Sequence, residues 1–313
     1  MIMDILVLTE FIQFSLSPIL IGILAGISCA IPGNFLLLKR QALIGDAISH
    51  VVLPGIVAAF IFTGVISTIP MLLGAAAAAI IAVSLIEVIK RLGNIEPGAA
   101  MGVVFTGMFA FGVLILEQTD TSNVHLDVEH ALMGNLESLI WLKAEGWQSL
   151  FDLEALKTLP DELFRITFVC GFIICLTLIF WRWLKIVTFD ESYAKTIGIR
   201  SSMISFSLVI ITAIAAVASF ESVGSIIVIA MFICPPAAAR LMTNKLSTQI
   251  TWSIVFATLS AIFGYIIAGY GPLWFGSKNA VSAAGMIAVV SGIILMLTCI
   301  YGPYRESVGQ IKD

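Results

Sequence analysis

Asp46 and His50 are the residues whose types and spacing are best suited to chemistry. They lie four positions apart in ALIGDAISHVVLPG, so on a helix a carboxylate and an imidazole share one face, one turn apart. Oxygen and nitrogen ligands together suit borderline divalent metals such as Mn, Fe and Zn. Pro54 has no N–H for the carbonyl of His50, which leaves a backbone oxygen beside the pair. The pattern predicts a metal site, although an Asp–His pair that only locks two helices has the same spacing.

Three further residues are candidate metal ligands. Glu221 falls where one predicted span ends and the next begins. Facing inward, it would be a third ligand or an outer gate; otherwise it is an acid in the first turn of a helix, stabilised by the helix dipole. His125 and His130 lie in HLDVEH, which would either attract and hand over cations or form only a solvated loop patch.

The composition places these residues in a membrane protein. Of 313 residues, 59% are hydrophobic and 12% charged, and the mean hydropathy is +1.07. The charged share is about half that of a soluble domain, too little to build a water-exposed surface. We therefore expect one polytopic membrane domain over residues 1–313. The net charge of −4 and the lack of a basic patch argue against nucleic-acid binding.

The elements that must position the candidate residues are apolar stretches of spanning length. They lie near residues 11–32, 44–66, 70–89, 99–116, 163–180, 201–220, 223–242, 250–268 and 280–300. An all-α protein with eight to nine transmembrane helices is expected. The stretch 131–142 is too short to span, so it is expected to form a short interfacial helix or a re-entrant segment.

Glycine, proline and charge predict where these helices end. Gly33 and Gly269 follow apolar runs, and Pro235 with Pro236 is expected to end or bend a helix before a short inner helix. Glu87 lies one turn from Lys90 and Arg91, which favours an interfacial salt bridge.

The basic residues predict the orientation. All but four of the 16 Lys and Arg residues fall on one side of the nine predicted spans, the side expected to be cytoplasmic. The N-terminus is then outside and the C-terminus inside the cell membrane of a prokaryote. The outer loop at 117–130 holds four acidic residues and no Lys or Arg, forming an acidic mouth.

Missing motifs narrow the function. The sequence has no G-x-x-x-x-G-K-[ST], HExxH or G-x-S-x-G, so P-loop ATP hydrolysis by this chain is excluded and an intramembrane protease or lipid hydrolase is disfavoured. The chain is expected to be a transport subunit, not an enzyme, without a permanently bound cofactor.

A resemblance to a known family lies in NFLLLKRQALIGDAISHVVLPG, which is similar to the opening signature of the metal-type ABC transporter permeases. These are the inner-membrane subunits of manganese, zinc and iron uptake systems. Three more stretches resemble the family in the same order: VHLDVEHALMGN, TFDESYAKTIGI and ESVGSIIVIAMFICPPAAARLM. The resemblance runs from about residue 11 to residue 300, which is nearly the whole chain.

The resemblance implies partners and roles. It implies a second permease copy in a homodimer, or a close paralogue, together with a separate cytoplasmic ATPase and an extracytoplasmic metal-binding protein. Asp46 and His50 would belong to the metal pathway, while at Glu221 the family varies between acids and amides. The ATPase-facing residues that it implies are Pro235, Pro236, Arg240, Glu191 and Gly198.

The expected function is ATP-driven import of a divalent transition metal, with Mn²⁺ favoured by resemblance and Zn²⁺ or Fe²⁺ as alternatives. Since a protonated imidazole cannot bind a metal, uptake is expected to weaken at acidic pH. The rival is a proton-coupled secondary transporter that needs no ATPase. Against it, the sequence shows no inverted repeat of broken helices. An intramembrane metalloenzyme would need a third ligand and a general base at fixed spacing, and neither is evident.

Overall fold

The computed structural model describes the chain at residues 11–42, 44–64, 68–118, 136–144, 146–150, 152–274, 276 and 281–304. Within these ranges the regular structure is entirely helical. The helices are α1 (Ser17–Leu38), α2 (Ile44–Thr63), α3 (Thr68–Gly93), α4 (Pro97–Gln118), α5 (Leu153–Leu156), α6 (Asp161–Ile179), α7 (Trp181–Phe189), α8 (Glu191–Thr196), α9 (Ser201–Val223), α10 (Ser225–Met242), α11 (Leu246–Trp274) and α12 (Ala283–Tyr301). A π-helical turn, Ile12–Leu16, continues directly into α1.

Eight helices in the described ranges are long and apolar enough to cross a bilayer, and they belong to α1, α3, α4, α6, α9, α10, α11 and α12. α2, with 20 residues, runs between the same two ends and contains the shorter apolar stretch Pro54–Thr63. Lipid offers no hydrogen-bond partner, so a spanning backbone must bond to itself, which a helix achieves. The predicted all-α, polytopic architecture is confirmed.

The bundle has two chemically different ends. One, which we call the basic end, carries Lys39, Lys90 and Arg240. There α1 ends and α9 begins, and the Lys39 ammonium donates to the Ser205 hydroxyl at 2.5 Å. The opposite end, which we call the loop end, holds the described parts of segment 136–160.

α1 lies at the centre and packs against α6, α9, α10 and α11. Glycine allows the closest of these approaches. A Cβ on Gly33 would lie 2.5 Å from the carbonyl oxygen of Phe232 on α10 and 3.0 Å from Cγ of Pro236. Small residues let helix backbones come close together. In lipid, helices associate through such close packing, because apolar side chains gain nothing by leaving an apolar solvent.

α2 is fixed between α3 and α4 by the same means. A Cβ on Gly55 would collide with the carbonyl oxygen of Gly74 on α3, and a Cβ on Gly74 would collide with that of Gly55. On the α4 side, a Cβ on Gly112 would lie 2.9 Å from the ring of Pro54. These contacts leave α2 little room to move relative to its neighbours.

A buried polar network joins α1 to α11. The Asn34 amide donates to Ser253 Oγ and to the carbonyl of Ala30, both at 2.7 Å, and Gln249 Nε2 donates to Asn34 Oδ1 at 3.0 Å. Asn34, Gln249 and Ser253 are completely buried. Since an unpaired polar group in such a place is costly, the network fixes how α1 and α11 are aligned.

The predicted interfacial segment at 131–142 is described from Leu136 onward. Its described part begins with a 3₁₀ turn, Leu136–Ser138. Trp141 is completely buried, and its indole N–H donates to the carbonyl of Ala155 and to Thr158 Oγ1, each at 3.1 Å. Trp141 therefore anchors this segment to the loop end of the bundle.

Two predicted helix ends are wrong, because α1 continues through Gly33 and α11 through Gly269. Pro235 and Pro236 do not end α10 either, so AAARLM belongs to α10 and the predicted separate inner helix is wrong. A bend of α10 at the two prolines stays a prediction. Spanning helices tolerate proline because neighbouring helices and local adjustments satisfy the freed carbonyls. At Gly33, the glycine serves a close contact between helices and not a terminus.

We expect Asn34→Leu to destabilise the protein, because it removes bonding partners from the buried Gln249 and Ser253 side chains. The loss should be about 1–3 kcal/mol, measured as a lower midpoint of thermal unfolding in detergent. Adding Gln249→Leu should recover part of the loss, since an apolar pair leaves one fewer unpaired amide. A double variant less stable than Asn34→Leu would contradict this account of the network.

Candidate functional site

α2 carries both members of the predicted metal pair in its first two turns. The helix begins at Ile44, after a turn in which Arg40 has a φ of 56°. Asp46 follows in the first turn and His50 one turn later, so their Cβ atoms are about 5–6 Å apart by helix geometry. The side chain of Asp46 lies outside the described part of the structure, so joint ligation with His50 stays a prediction.

The imidazole of His50 is held by two aromatic rings of α4. It stacks on Phe105 with ring centroids 5.4 Å apart and an angle of 25° between the planes. It meets Phe109 nearly perpendicularly, at 5.6 Å and 80°. Aromatic contacts at these distances favour particular ring orientations. Packing from α4 therefore orients a half-buried imidazole, as a metal ligand requires.

The first turn of α2 also rests on α10. A Cβ on Gly45 would lie 2.7 Å from Cδ2 and 2.9 Å from Cγ of Phe232, which is closer than real Cβ atoms approach an aromatic ring. Phe232 is 1% exposed and lies one turn before Pro236 on α10. The residue preceding Asp46 thus contacts the helix that carries the predicted ATPase-facing residues.

Glu221 lies in the last turn of α9, which ends at Val223. The prediction that it could be an acid in the first turn of a helix is therefore wrong. Gly224, with a φ of 81°, separates α9 from α10. The break between the two helices therefore follows Glu221 in the sequence, whereas the prediction requires it to precede Glu221. The side chain of Glu221 is outside the described residues, and its predicted ligand role stays a prediction.

His125 and His130 lie outside the described residues, so their predicted role is a prediction still. Among the side chains that the structure describes, no group of three or more His, Cys, Asp and Glu residues is placed to hold a metal ion.

The segment TFDESYAKTIGI forms α8 at the basic end. Asp190 caps this helix by accepting from the Tyr193 N–H at 2.8 Å. The Ser201 hydroxyl donates to Glu191 Oε1 at 3.1 Å, which ties α8 to the start of α9. Gly198 has a φ of 81°, a left-handed conformation that glycine adopts without strain and that turns the chain into α9.

The carboxylate of Glu191 is stabilised in its charged form. Burial raises its pKa, but hydrogen bonds from Lys195 and Ser201 and the charges of Lys195 and Lys39 together lower the pKa below its ordinary value. Three more of the predicted ATPase-facing residues lie on the last turns of α10 at the same end. Of these, Pro235 and Pro236 are buried and Arg240 is half-buried.

A cavity of about 380 Å³ lies at the basic end between α2, α3, α4 and α9. Its charged lining residues are Lys39, Glu87, Lys90 and Glu191. Lys90 donates to Glu87 at 3.0 Å, which confirms the predicted interfacial salt bridge. The cavity is not predictable from the sequence, because Lys39 there indicates only the orientation of the chain and no local pattern marks a space formed by four helices.

The ABC 3 transport family matches residues 11–302, a range that contains every helix described above. The chain belongs to the ABC 3 transport family. This confirms the permease family predicted from the sequence. As a family member, the chain is a transport subunit that crosses the membrane several times.

Relatives of this ABC 3 family member have names that refer to different metals. It is 36% identical over 282 residues to the manganese transport system membrane protein MntD of Bacillus subtilis (strain 168), covering 90% of each chain. It is 33% identical to the zinc transport system membrane protein TroD of Treponema pallidum (strain Nichols), over 92% of this chain and 74% of that one. It is 31% identical to the chelated iron transport system membrane protein YfeD of Yersinia pestis, over 96% and 88%.

Solved structures share the fold. PsaBC from Streptococcus pneumoniae, in complex with a Fab, matches with a TM-score of 0.75 at 26% identity, and all of both chains is covered. An inward-facing putative metal-chelate type ABC transporter matches with a TM-score of 0.67 over 92% of this chain and 86% of that one. At 14% identity, the second likeness concerns the fold alone.

We expect Gly45→Ala in this family member to displace the first turn of α2, because the added Cβ would overlap the ring of Phe232. The thermal unfolding midpoint in detergent should fall by several degrees, corresponding to about 1–3 kcal/mol for overpacking. Gly107→Ala on α4 is the matched control, since a Cβ there meets nothing within 4 Å. Combining Gly45→Ala with Phe232→Leu should restore part of the loss. If Gly45→Ala is as stable as the control, the close contact does not constrain α2.

Proposed function

We propose that the chain is the membrane permease subunit of an ATP-driven importer of a divalent transition metal, and that Asp46 and His50 lie on the path of the ion. The observation that carries this proposal is the position of the pair. A carboxylate and an imidazole are one turn apart on α2, and the imidazole is oriented by Phe105 and Phe109. Membership of the ABC 3 transport family supports the same function.

The ligand chemistry explains why such a pair conducts an ion and does not trap it. One carboxylate and one imidazole, with the carbonyl of His50 beside Pro54, give few protein ligands, and conduction needs a site that also releases its ion. A second copy of the permease would bring its own pair to a symmetric path. The proposed assembly is therefore a homodimer, or a pair with a close paralogue.

The proposed importer needs two further proteins, an ATPase and a metal-binding protein. Its sequence has no phosphate-cradling motif, so ATP hydrolysis is assigned to a separate cytoplasmic ATPase. An extracytoplasmic metal-binding protein delivers the ion to the acidic mouth at 117–130. The proposed orientation in a prokaryotic cell membrane follows the positive-inside rule, with the basic end cytoplasmic, the N-terminus outside and the C-terminus inside.

Manganese is the proposed cargo, with zinc and ferrous iron as alternatives. Oxygen and nitrogen ligands suit all three ions and disfavour soft ions that prefer sulfur. The relatives at 36%, 33% and 31% identity are named for manganese, zinc and chelated iron respectively. The preference for manganese rests on resemblance to the manganese relative.

We expect Asp46→Asn and His50→Ala each to reduce metal accumulation by at least about tenfold. Replacing even a residue that only hydrogen-bonds to a metal ligand lowers metal affinity roughly 10–100-fold. The measurement is elemental analysis for Mn, Zn and Fe in cells that carry the intact transport system, at matched membrane expression. The metal that accumulates with wild type identifies the cargo.

The control for this measurement is Asp152→Asn, which removes the charge of an exposed carboxylate at the loop end. It should leave accumulation unchanged. Accumulation that survives both Asp46→Asn and His50→Ala would make the pair structural, and the proposed path would be wrong even though the family assignment stands.

We expect the permease to co-purify with an ATPase subunit, and Arg240→Glu to reduce its recovery several-fold, because charge reversal at an interface places like charges opposite each other. Arg165→Glu is the matched control, with the same reversal in α6 at the loop end. Metal transport by the permease alone, with no ATPase recovered, would favour the proton-coupled secondary transporter instead.

A further inference from the structure

The short helix α7 begins where a spanning helix ends. α6 is long and apolar enough to cross the bilayer over Asp161–Ile179, and only Phe180 separates it from Trp181, the first residue of α7. The indole of Trp181 meets the ring of Phe35 edge-on, with ring centroids 6.2 Å apart, and Phe35 lies in the last turn of α1. Tryptophan is enriched at the boundary between membrane and water. α7 therefore starts at the membrane boundary of the basic end.

One face of α7 is packed and the opposite face is open. Leu184 and Val187 are buried, and α7 packs against α9. Arg182, Lys185 and Phe189 recur at intervals of three and four residues, so they share another face of the helix. All three are exposed. Exposed basic and aromatic side chains together are typical of a helix that lies at a membrane surface.

A groove of about 490 Å³, which we call the α7 groove, follows this open face. Its lining combines apolar, basic and acidic side chains, which are those of Trp181, Arg182, Lys185, Ile186, Phe189, Asp190 and Tyr193. Two cations are thus accompanied by one carboxylate. That carboxylate, Asp190, already accepts from the Tyr193 N–H at 2.8 Å as the cap of α8. The α7 groove therefore carries an excess of positive charge.

Arg182 and Lys185 have no anionic partner in the described part of the chain. Lys195, on the next helix, pairs with Glu191 at 3.1 Å, whereas no described ion pair or hydrogen bond involves Arg182 or Lys185. A guanidinium binds two phosphate oxygens in a fork geometry, and an ammonium adds a point charge. At a membrane boundary the phosphates of lipid headgroups are the anions within reach of such a pair.

We propose that the α7 groove binds the headgroup of an anionic phospholipid, with the phosphate between Arg182 and Lys185 and an acyl chain beside Trp181, toward α6. Charge complementarity favours an anionic lipid, because a zwitterionic lipid would bring its own ammonium toward the same two cations. The inference needs only a chain that spans the bilayer, and it does not depend on the proposed metal path.

The test is lipid binding by the full-length permease in detergent. Phosphatidylglycerol or phosphatidylcholine is titrated in, and the apparent Kd of the first bound lipid is measured by native mass spectrometry. Each basic residue near an anionic lipid surface contributes about fivefold to binding. Two such residues should make the Kd for phosphatidylglycerol at least about tenfold lower than the Kd for phosphatidylcholine. Equal Kd values in the wild type would overturn the proposal.

Variants test the two basic residues. Arg182→Gln combined with Lys185→Gln should raise the Kd for phosphatidylglycerol at least about tenfold and leave the Kd for phosphatidylcholine unchanged. Arg182→Lys combined with Lys185→Arg keeps both charges and should keep the preference. If the double Gln variant does not fold, as judged by its unfolding midpoint, each single Gln variant should still weaken phosphatidylglycerol binding about fivefold.

The matched control is Arg200→Gln combined with Lys245→Gln. It removes two charges from exposed residues at the same end of the bundle, outside the α7 groove, and should leave the preference for phosphatidylglycerol unchanged. An equal loss of preference in this control would overturn the proposal, since the effect would then belong to the general charge of the basic end.

The alternative occupant of the α7 groove is the ATPase, because the predicted ATPase-facing helix α8 begins beside it. Co-purification with the ATPase subunit separates the two. If Arg182→Gln with Lys185→Gln lowers ATPase recovery while the preference for phosphatidylglycerol persists, the lipid proposal is wrong. Loss of the preference with unchanged ATPase recovery supports the lipid site. A wild type that transports no metal would contradict the proposed function and leave the lipid site standing, since neither measurement uses a metal.

Discussion

The packing of Phe232 against two glycines holds together the part of the bundle that carries the predicted metal pair. Its carbonyl lies against Gly33 on α1, and its ring lies against Gly45 on α2. Neither glycine has room for a methyl group, so α1 lies against the backbone of Phe232 and α2 lies against its ring. In lipid, helix association depends on such close contact, because apolar side chains gain nothing by leaving one apolar solvent for another.

This contact brings the helix that carries Pro235, Pro236 and Arg240 against the helix that carries the predicted metal pair. Phe232 is one turn from Pro236 on α10, and Gly45 precedes Asp46 on α2. On the other side of α2, Phe105 and Phe109 of α4 contact the imidazole of His50. The start of α2 is therefore packed against both α10 and α4.

Polar groups inside the bundle divide into two kinds. The network of Asn34, Gln249 and Ser253 is buried and bonded, and it aligns helices. Lys39 lines the cavity at the basic end and donates to a neutral partner, the Ser205 hydroxyl, at 2.5 Å. The first kind joins two helices through side-chain hydrogen bonds, although Gln249 Oε1 has no partner, whereas the second places a charge beside a cavity.

The sequence was sufficient to predict the helical membrane architecture, the family, the position of Asp46 and His50 one turn apart, and the salt bridge of Glu87. These depend on composition and on spacing within one helix, which short segments encode. It did not show that α1 continues past Gly33, that α10 continues through its two prolines, or that Glu221 lies in the last turn of α9. Nor did it reveal the contact of Phe232 or the cavity around Lys39. Only the tertiary structure decided these, because each depends on residues far apart in the chain that meet when the helices pack.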